Sequence, residues 1–145
     1  MFELPRNIFL LLLFSIILPV AGNHSEDGFR YLALGDSYTV GEGVAVDETF
    51  PAQLSDMLEE RGVSIESPEI VAGTGWTTGE LLNVLNINQP SAPFDLVTLL
   101  IGVNNQYRGQ SVEAYRREFR QLLELATEFA GADPVSYTHL RAHET

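Results

Sequence analysis

The chain has 145 residues, of which 45% are hydrophobic and 19% are charged, so it has the length and composition of one globular domain. Eight basic residues stand against 20 acidic ones, and the formal net charge of -12 argues against a nucleic-acid partner held by phosphate contacts. The chain has no cysteine, which excludes disulfides, thiolate metal ligands and a cysteine nucleophile.

Residues 1–22 are predicted to be a secretory signal peptide. The apolar run at residues 8–20 is shorter than the roughly 20 residues that span a bilayer, and the small residues Ala21 and Gly22 follow it. We therefore expect export to the periplasm or the medium, with residues 23–29 as a short polar leader. The alternative is an uncleaved membrane anchor formed by the same apolar run, which would be the chain's link to a membrane.

A strand, a helix and a second strand are predicted next. Residues 31–34 form a short apolar run that ends at a Gly-Asp turn, which is typical of a buried strand. Residues 50–61 carry a proline in the first turn and are followed by Gly62, which favours a helix. Residues 69–72, entered through Pro68, are predicted to form a weaker strand.

The second half of the domain repeats this alternation. Residues 78–86 present several leucines and are predicted to be helical, and residues 96–101 are almost continuously apolar, as in a parallel strand covered on both faces. Residues 111–130 form the clearest helix, with Ser111 as the N-cap and Gly131 after its end. This order predicts a parallel sheet with right-handed crossovers in a flavodoxin-like, three-layer α/β/α domain.

Residues 135–145 read VSYTHLRAHET and show no periodicity or capping pattern. They are identical to the translation of a widely used transposase sequencing adapter, so we interpret them as a non-native tail and exclude them from the fold. Two of the three histidines lie in this tail, and the third, His24, lies beside the predicted cleavage site. The sequence therefore offers no histidine within the predicted domain.

Polar and glycine-rich loops follow all three predicted strands. In a parallel sheet these loops meet at the carboxyl edge, where active sites form. A serine there can act as a nucleophile, and glycine N–H groups and asparagine amides can donate to an oxyanion. Taken singly, each residue has a simpler interpretation as a turn or cap residue. The loops begin with Gly35-Asp36-Ser37, Gly73-Thr74-Gly75-Trp76-Thr77-Thr78 and Gly102-Val103-Asn104-Asn105.

These blocks, in this order, resemble the SGNH (GDSL) hydrolases over residues 31–130. The resemblance implies the SGNH hydrolase fold and a carboxylic-ester hydrolase that acts through an acyl-enzyme on Ser37. It implies that the backbone N–H groups of Ser37 and Gly75 and the side chain of Asn104 bind the oxyanion. It also implies a small-molecule ester as partner and neither a metal nor an organic cofactor. Residues 30–134 are accordingly interpreted as a partial SGNH hydrolase domain.

The chain departs from the family pattern at two places. Asn105 stands where the family usually has Asp, which we expect to be tolerated because Asn104 carries the assigned role. The late Asp-x-x-His block, which supplies the rest of the triad, is absent together with the last strands. Because an unactivated serine is a poor nucleophile, we expect the chain as written to be inactive and its parent gene to encode an active esterase.

Three other interpretations apply to the same sequence. A non-catalytic extracellular binding module on the same fold is the main alternative to an enzyme. A phosphate-binding domain is disfavoured, because no Gly-x-Gly-x-x-Gly or Walker-type lysine follows the first strand. An α/β-hydrolase is disfavoured because Ser37 lies in Gly-Asp-Ser-Tyr-Thr rather than Gly-x-Ser-x-Gly. Asp47, Glu48 and Arg108 are candidates to border the cleft, with Arg108 a weak candidate for substrate contact, but the default interpretation of all three is a solvated loop charge.

Overall fold

The computed structural model describes residues 28–131 and the backbone of Ser136–Thr138. The predicted signal peptide or anchor, His24 and most of the predicted tail lie outside these residues. Within the described ranges no helix is long and apolar enough to cross a bilayer. The strands are β1 Tyr31–Gly35, β2 Glu69–Ala72, β3 Leu96–Leu100 and β4 Ser136–Thr138, and the helices are α1 Ser37–Val40, α2 Phe50–Glu59, α3 Thr78–Ile87, α4 Val103–Tyr107 and α5 Val112–Phe129.

The four strands form one parallel sheet in the order β2-β1-β3-β4. The chain moves from β1 to β2 in one direction and then returns past β1 to β3, so right-handed crossovers put α2 on one face and α3 and α5 on the other. Contacts between α3 and α5 and between α5 and β3 agree with this arrangement. The predicted three-layer α/β/α fold with a parallel sheet is confirmed.

The hydrophobic core lies between the sheet and the α3–α5 layer. α5 is strongly amphipathic and buries residues spaced by three and four positions, as its sequence predicts. Each fully buried leucine contributes roughly 1.5–3 kcal/mol to the free energy of unfolding. The α2 layer is thinner, since Pro51 and Ser55 are the buried residues of α2. The core residues are Leu32, Leu34, Leu81, Leu85, Phe94, Val97, Leu99, Ile101, Leu122, Ala126, Phe129 and Ala130.

The structure contains two short helices, α1 and α4, and a 3-10 turn at Val46–Glu48 that the sequence analysis did not predict. Each has at most five residues, which is too few for a 3.6-residue period to become visible. α4 directly follows Gly102, whose φ of 131° lies in a region that favours glycine. Both short helices begin where the predicted active-site loops leave the sheet.

β4 lies in the segment that the sequence analysis excluded as a non-native tail. Its three residues pair in parallel with Val97, Thr98 and Leu99 of β3, so the sheet has four strands instead of the three expected. Parallel pairing uses backbone N–H and C=O groups, so a short segment without a side-chain pattern can still extend a sheet. The origin of residues 135–145 in an adapter stays a prediction.

Candidate active site

The strand register brings the three predicted loops to one edge of the sheet. Gly35, the last residue of β1, pairs with Ala72 of β2 and with Leu100 of β3, which are the last residues of their strands. The three loops therefore leave the sheet at the same level, with neighbouring strands about 4.8 Å apart. This is the carboxyl edge, where open α/β sheets bind their ligands.

Ser37 is the first residue of α1 and is half-buried. The N-cap of this helix is Asp36, whose side chain accepts a hydrogen bond from the backbone N–H of Tyr38 at 3.1 Å. The carbonyl of Ser37 accepts hydrogen bonds from the N–H groups of Gly41 and Glu42 at 2.9 and 3.1 Å. Because Asp36 caps the helix, the hydroxyl of Ser37 is not needed for capping.

Asp36 and Gly35 fix α1 against the end of the sheet. The carboxyl group of Asp36 is almost fully buried, and this burial raises its pKa, although the hydrogen bond from the N–H of Tyr38 acts in the opposite direction. A Cβ at position 35 would overlap the hydroxyl of Thr39 and would lie 2.6 Å from the carbonyl oxygen of Leu100. Only glycine allows this close approach between β1 and α1.

Gly75 lies in a tight turn that two glycines make possible. The N–H of Trp76 donates to the carbonyl of Gly73 at 3.1 Å, and Gly75 adopts a φ of 75° that favours glycine. A Cβ at Gly73 would overlap the indole ring of Trp76, so this glycine lets the ring lie across the turn. The ring also packs against the hydrophobic core, in agreement with a structural role for Trp76.

Asn104 binds the Gly75 turn directly. Its side-chain Nδ2 donates a hydrogen bond to the carbonyl oxygen of Trp76 at 2.9 Å. An amide NH2 group carries two donors, so the second N–H of Asn104 is available to a ligand at this edge. The structure therefore brings Asn104 and the Gly75 turn together, and both loops start at the level where the Ser37 loop starts.

Asn105 has a structural function that differs from that of its neighbour. It is 2% exposed, and its Oδ1 accepts a hydrogen bond from the N–H of Thr78 at 3.0 Å. Its Nδ2 donates to the hydroxyl of Thr78 at 2.6 Å and to Oε1 of Gln110 at 2.8 Å. The Thr78 hydroxyl in turn donates to the carboxylate of Glu118 on α5. Asn105 thus fixes α4 to the start of α3.

Arg108 is exposed, as expected of a loop charge, but it is also tied to the Gly75 turn. Its Nη2 donates to the carbonyl of Gly75 at 2.6 Å, and its Nη1 lies 3.1 Å from Oε1 of Glu80. Glu80 accepts hydrogen bonds from the N–H and hydroxyl of Thr77 at 2.7 and 2.9 Å. These bonds, and then Arg108, lower the pKa of Glu80. The spacing Thr77-x-x-Glu80 is a capping box that the sequence could have revealed.

The sequence model of the GDSL-like lipase/acylhydrolase family matches residues 33–140. The chain belongs to this family. The match covers all three loops of the site, so the resemblance to the SGNH hydrolases that the sequence motifs indicated is confirmed. A search of curated proteins returned no significant match.

Solved structures of other proteins resemble this GDSL-like chain. AlinE4, a SGNH-hydrolase family esterase, is 25% identical with a TM-score of 0.65, and the alignment covers 77% of this chain and 59% of AlinE4. TesA is 20% identical with a TM-score of 0.59, and the alignment covers 74% of this chain and 58% of TesA. The psychrotrophic esterase EstA from Pseudoalteromonas sp. is 20% identical with a TM-score of 0.57, and the alignment covers 76% of this chain and 61% of EstA. The last two show the fold alone. The chain therefore spans about three fifths of these proteins.

A groove of about 330 Å³ opens beside Ser37 of the GDSL-like domain. It combines apolar side chains with the carboxylates of Glu42 and Glu48, and no basic side chain is among the described residues that line it. Its volume is at the small end of the range for ligand sites. Because of its two carboxylates, the groove suits an uncharged ligand group better than an anionic one. The lining residues are Ser37, Tyr38, Gly41, Glu42, Val44, Glu48, Thr49 and Phe50.

The described part of the GDSL-like chain contains no histidine that could activate Ser37. The three histidines of the sequence are His24, His139 and His143, and all lie outside residues 28–131 and 136–138. Asp36, the acidic residue next to Ser37, directs its carboxylate to the N–H of Tyr38. The described residues thus provide a candidate nucleophile and candidate oxyanion donors without a general base.

Proposed function

We propose that Ser37 is the nucleophile of an ester hydrolase. Its Oγ forms a bond with the acyl carbon, the alcohol leaves with a proton, and water then releases the acid from the acyl-enzyme. This proposal rests on one observation: β1, β2 and β3 end at the same level of the sheet. The loops that carry Ser37, Gly75 and Asn104 therefore begin at one edge. Membership of the family and the likeness to the esterase AlinE4 support ester hydrolysis as the reaction.

The oxyanion that forms on the acyl carbonyl needs hydrogen-bond donors. We assign this role to the backbone N–H groups of Ser37 and Gly75 and to the Nδ2 of Asn104. The hydrogen bond from Asn104 to the carbonyl of Trp76 supports this assignment, because it fixes the amide beside the Gly75 turn and leaves its second N–H for the substrate. Such a donor typically contributes about 3–4 kcal/mol to stabilisation of the transition state.

Turnover requires a base that the described residues lack. We propose that the late Asp-x-x-His of the family supplies it, and that the 145-residue polypeptide alone is inactive. Two observations support this proposal: the described residues contain no histidine, and the chain spans 59% of AlinE4. We use the term extended protein for the product of a reading frame that carries this chain through to an Asp-x-x-His block.

The substrate is proposed to be a small, uncharged ester. The groove beside Ser37 supports this class, because its two carboxylates would repel an anionic acyl or alcohol group. Val44 and Phe50 offer apolar surface in the same groove. The overall formal charge of -12 acts in the same direction.

We further propose that the protein is exported through residues 1–22. The apolar run and the small residues after it support export. Expression in a bacterial host, followed by N-terminal sequencing of the secreted product, tests this proposal. A new N-terminus near Ala21 or Gly22 is expected, whereas full-length protein retained in the membrane fraction would indicate an anchor at residues 8–20.

The catalytic proposal is tested with four proteins and a p-nitrophenyl ester. The extended protein should hydrolyse it, and Ser37→Ala should reduce the rate at least about 1,000-fold. Ser91→Ala, an exposed serine before β3 at the opposite edge of the sheet, is the control and should retain full activity. The 145-residue chain should give no rate above buffer.

Two results would contradict these proposals. Ester hydrolysis by the 145-residue chain that is lost in Ser37→Ala would overturn the predicted inactivity. Full activity of Ser37→Ala in the extended protein would overturn the role of Ser37. Sequencing of the source DNA across the codon of Pro134 decides whether an extended reading frame exists. If residues 135–145 and a stop codon are encoded there, the non-catalytic binding module becomes the favoured function.

A further inference from the structure

We propose that Arg108 is a positioning residue that holds the Gly75 turn in the conformation needed to bind the oxyanion. This inference rests on the proposed function. Arg108 itself touches neither Ser37 nor the groove beside it. It acts on Gly75 through the carbonyl oxygen of that residue.

Two side chains from one short segment bind two successive carbonyls of the turn. Arg108 donates to the carbonyl of Gly75 at 2.6 Å, and Asn104 donates to the carbonyl of Trp76 at 2.9 Å. Glycine has the greatest backbone freedom of all residues, so the direction of the Gly75 N–H depends on such external restraints. The two hydrogen bonds therefore restrain the two peptide units that directly follow the N–H of Gly75.

Glu80 holds the guanidinium in place. Its two carboxylate oxygens lie 3.1 and 3.3 Å from Nη1 of Arg108, while Nη2 of the same guanidinium reaches Gly75. Glu80 is fixed in turn by the N–H and hydroxyl of Thr77. The planar guanidinium has separate nitrogens for these two tasks, whereas a lysine has a single nitrogen. Arg108 thus links the flexible turn to the first turn of α3.

The exposure of this pair separates a positioning role from a stabilising one. The side chains of Arg108 and Glu80 are 46% and 44% exposed, so their ion pair adds little to the free energy of unfolding. Loss of Arg108 should therefore leave the fold intact and change the turn. An effect on the turn without an effect on unfolding is the signature of the proposed role.

Trp76 provides a direct probe of the turn because it is the single tryptophan of the chain. In Arg108→Gln we expect a shift of the tryptophan emission maximum and stronger quenching by acrylamide, measured on the 145-residue chain, in which Trp76 is the single tryptophan. Arg120→Gln, which removes an equal charge from an exposed position of α5, is the matched control and should change neither. Thermal unfolding followed by circular dichroism should agree among the three proteins.

The kinetic test uses the same substitutions in the extended protein. Arg108→Gln should lower kcat about tenfold with KM within twofold, because the transition state depends on the direction of the Gly75 N–H. Arg108→Lys should recover part of kcat. Glu80→Gln keeps an oxygen that accepts a hydrogen bond from Thr77, so it should lower kcat less than Arg108→Gln. It replaces Arg108→Gln as the test if Arg108→Gln does not fold.

Several results would overturn the inference. Unchanged kcat together with unchanged tryptophan emission in Arg108→Gln would remove the positioning role and leave the role of Ser37 untouched. An increase in KM alone would make Arg108 a substrate-binding residue. Failure of the proposed function gives a different result, since Ser37→Ala would then keep full activity while the fluorescence test of Arg108 remains valid.

Discussion

The two sides of the site are built by different means. On the Ser37 side, the bond that caps α1 joins Asp36 to an N–H only two residues away. On the Gly75 side, the corresponding bonds span 28 residues for Asn104 and 33 residues for Arg108. The nucleophile is therefore presented by local structure, whereas the oxyanion donors depend on tertiary contacts. A substitution on the Gly75 side should therefore disturb residues that are far from it in the sequence.

After Ser37→Ala, the largest effect is expected for Asn104→Ala in the extended protein. Removal of one oxyanion donor should lower kcat about 100- to 1,000-fold, since a typical donor contributes this much. The free energy of unfolding should change by less than about 1 kcal/mol, because one hydrogen bond to Trp76 is lost at a half-buried position. Steady-state kinetics and urea unfolding measure the two quantities. A variant with normal kcat would remove Asn104 from the oxyanion site.

Asn105→Ala should show the opposite pattern at the neighbouring position. It removes three hydrogen bonds and leaves the buried N–H of Thr78 without its partner, so the free energy of unfolding should fall by about 3 kcal/mol. Urea unfolding of Asn105→Ala and Asn104→Ala under the same conditions checks this contrast. Equal stability of the two variants would show that Asn105 does not fix α4 to α3.

Gly35→Ala tests the Ser37 side. The added methyl group would overlap the hydroxyl of Thr39 and crowd the carbonyl of Leu100, which should cost about 2 kcal/mol of stability. Gly43→Ala is the matched control, because a Cβ there meets no atom within 4 Å and only its φ of 87° is unfavourable. That control should cost about 1 kcal/mol. If both variants unfold at the same urea concentration, the close packing of α1 on β1 does not contribute to the free energy of unfolding.

Glu80→Gln should have the smallest effect, and that effect should depend on pH. The folded pKa of Glu80 lies below its ordinary value of 4.5, so its ionised form stabilises the fold above that pH. This stabilisation is lost as the pH falls through the folded pKa. Glu80→Gln should be about 0.5 kcal/mol less stable than the original protein at pH 7, given the exposure of the pair. Urea unfolding at pH 7 and pH 3 should show a smaller difference at pH 3 than at pH 7.

The sequence predicted the fold where patterns were long or strongly apolar. The buried runs of β1 and β3 and the amphipathic α5 gave the layers, and β2 was placed with its observed bounds. α1 and α4 were missed because four or five residues carry no visible period. β4 was missed because its segment has no strand pattern, and its pairing rests on the backbone.

The candidate site was predictable only in part. Ser37, Gly75 and Asn104 were selected because their loops follow the strands, and the register brings those loops to one edge. Arg108 was only a weak candidate for substrate contact, and its bond to Gly75 could not be predicted, because the partner is a backbone carbonyl 33 residues away and backbone atoms leave no pattern in a sequence. Glu80 could have been recognised from its spacing to Thr77.

Covalent labelling tests the role of Ser37 most directly. The extended protein is treated with an alkyl fluorophosphonate, which reacts with activated serines, and the site of modification is located by mass spectrometry. The account predicts one adduct, on the peptide that contains Ser37, and no adduct in Ser37→Ala. An adduct on a different residue, or ester hydrolysis by a protein that takes up no label, would contradict it.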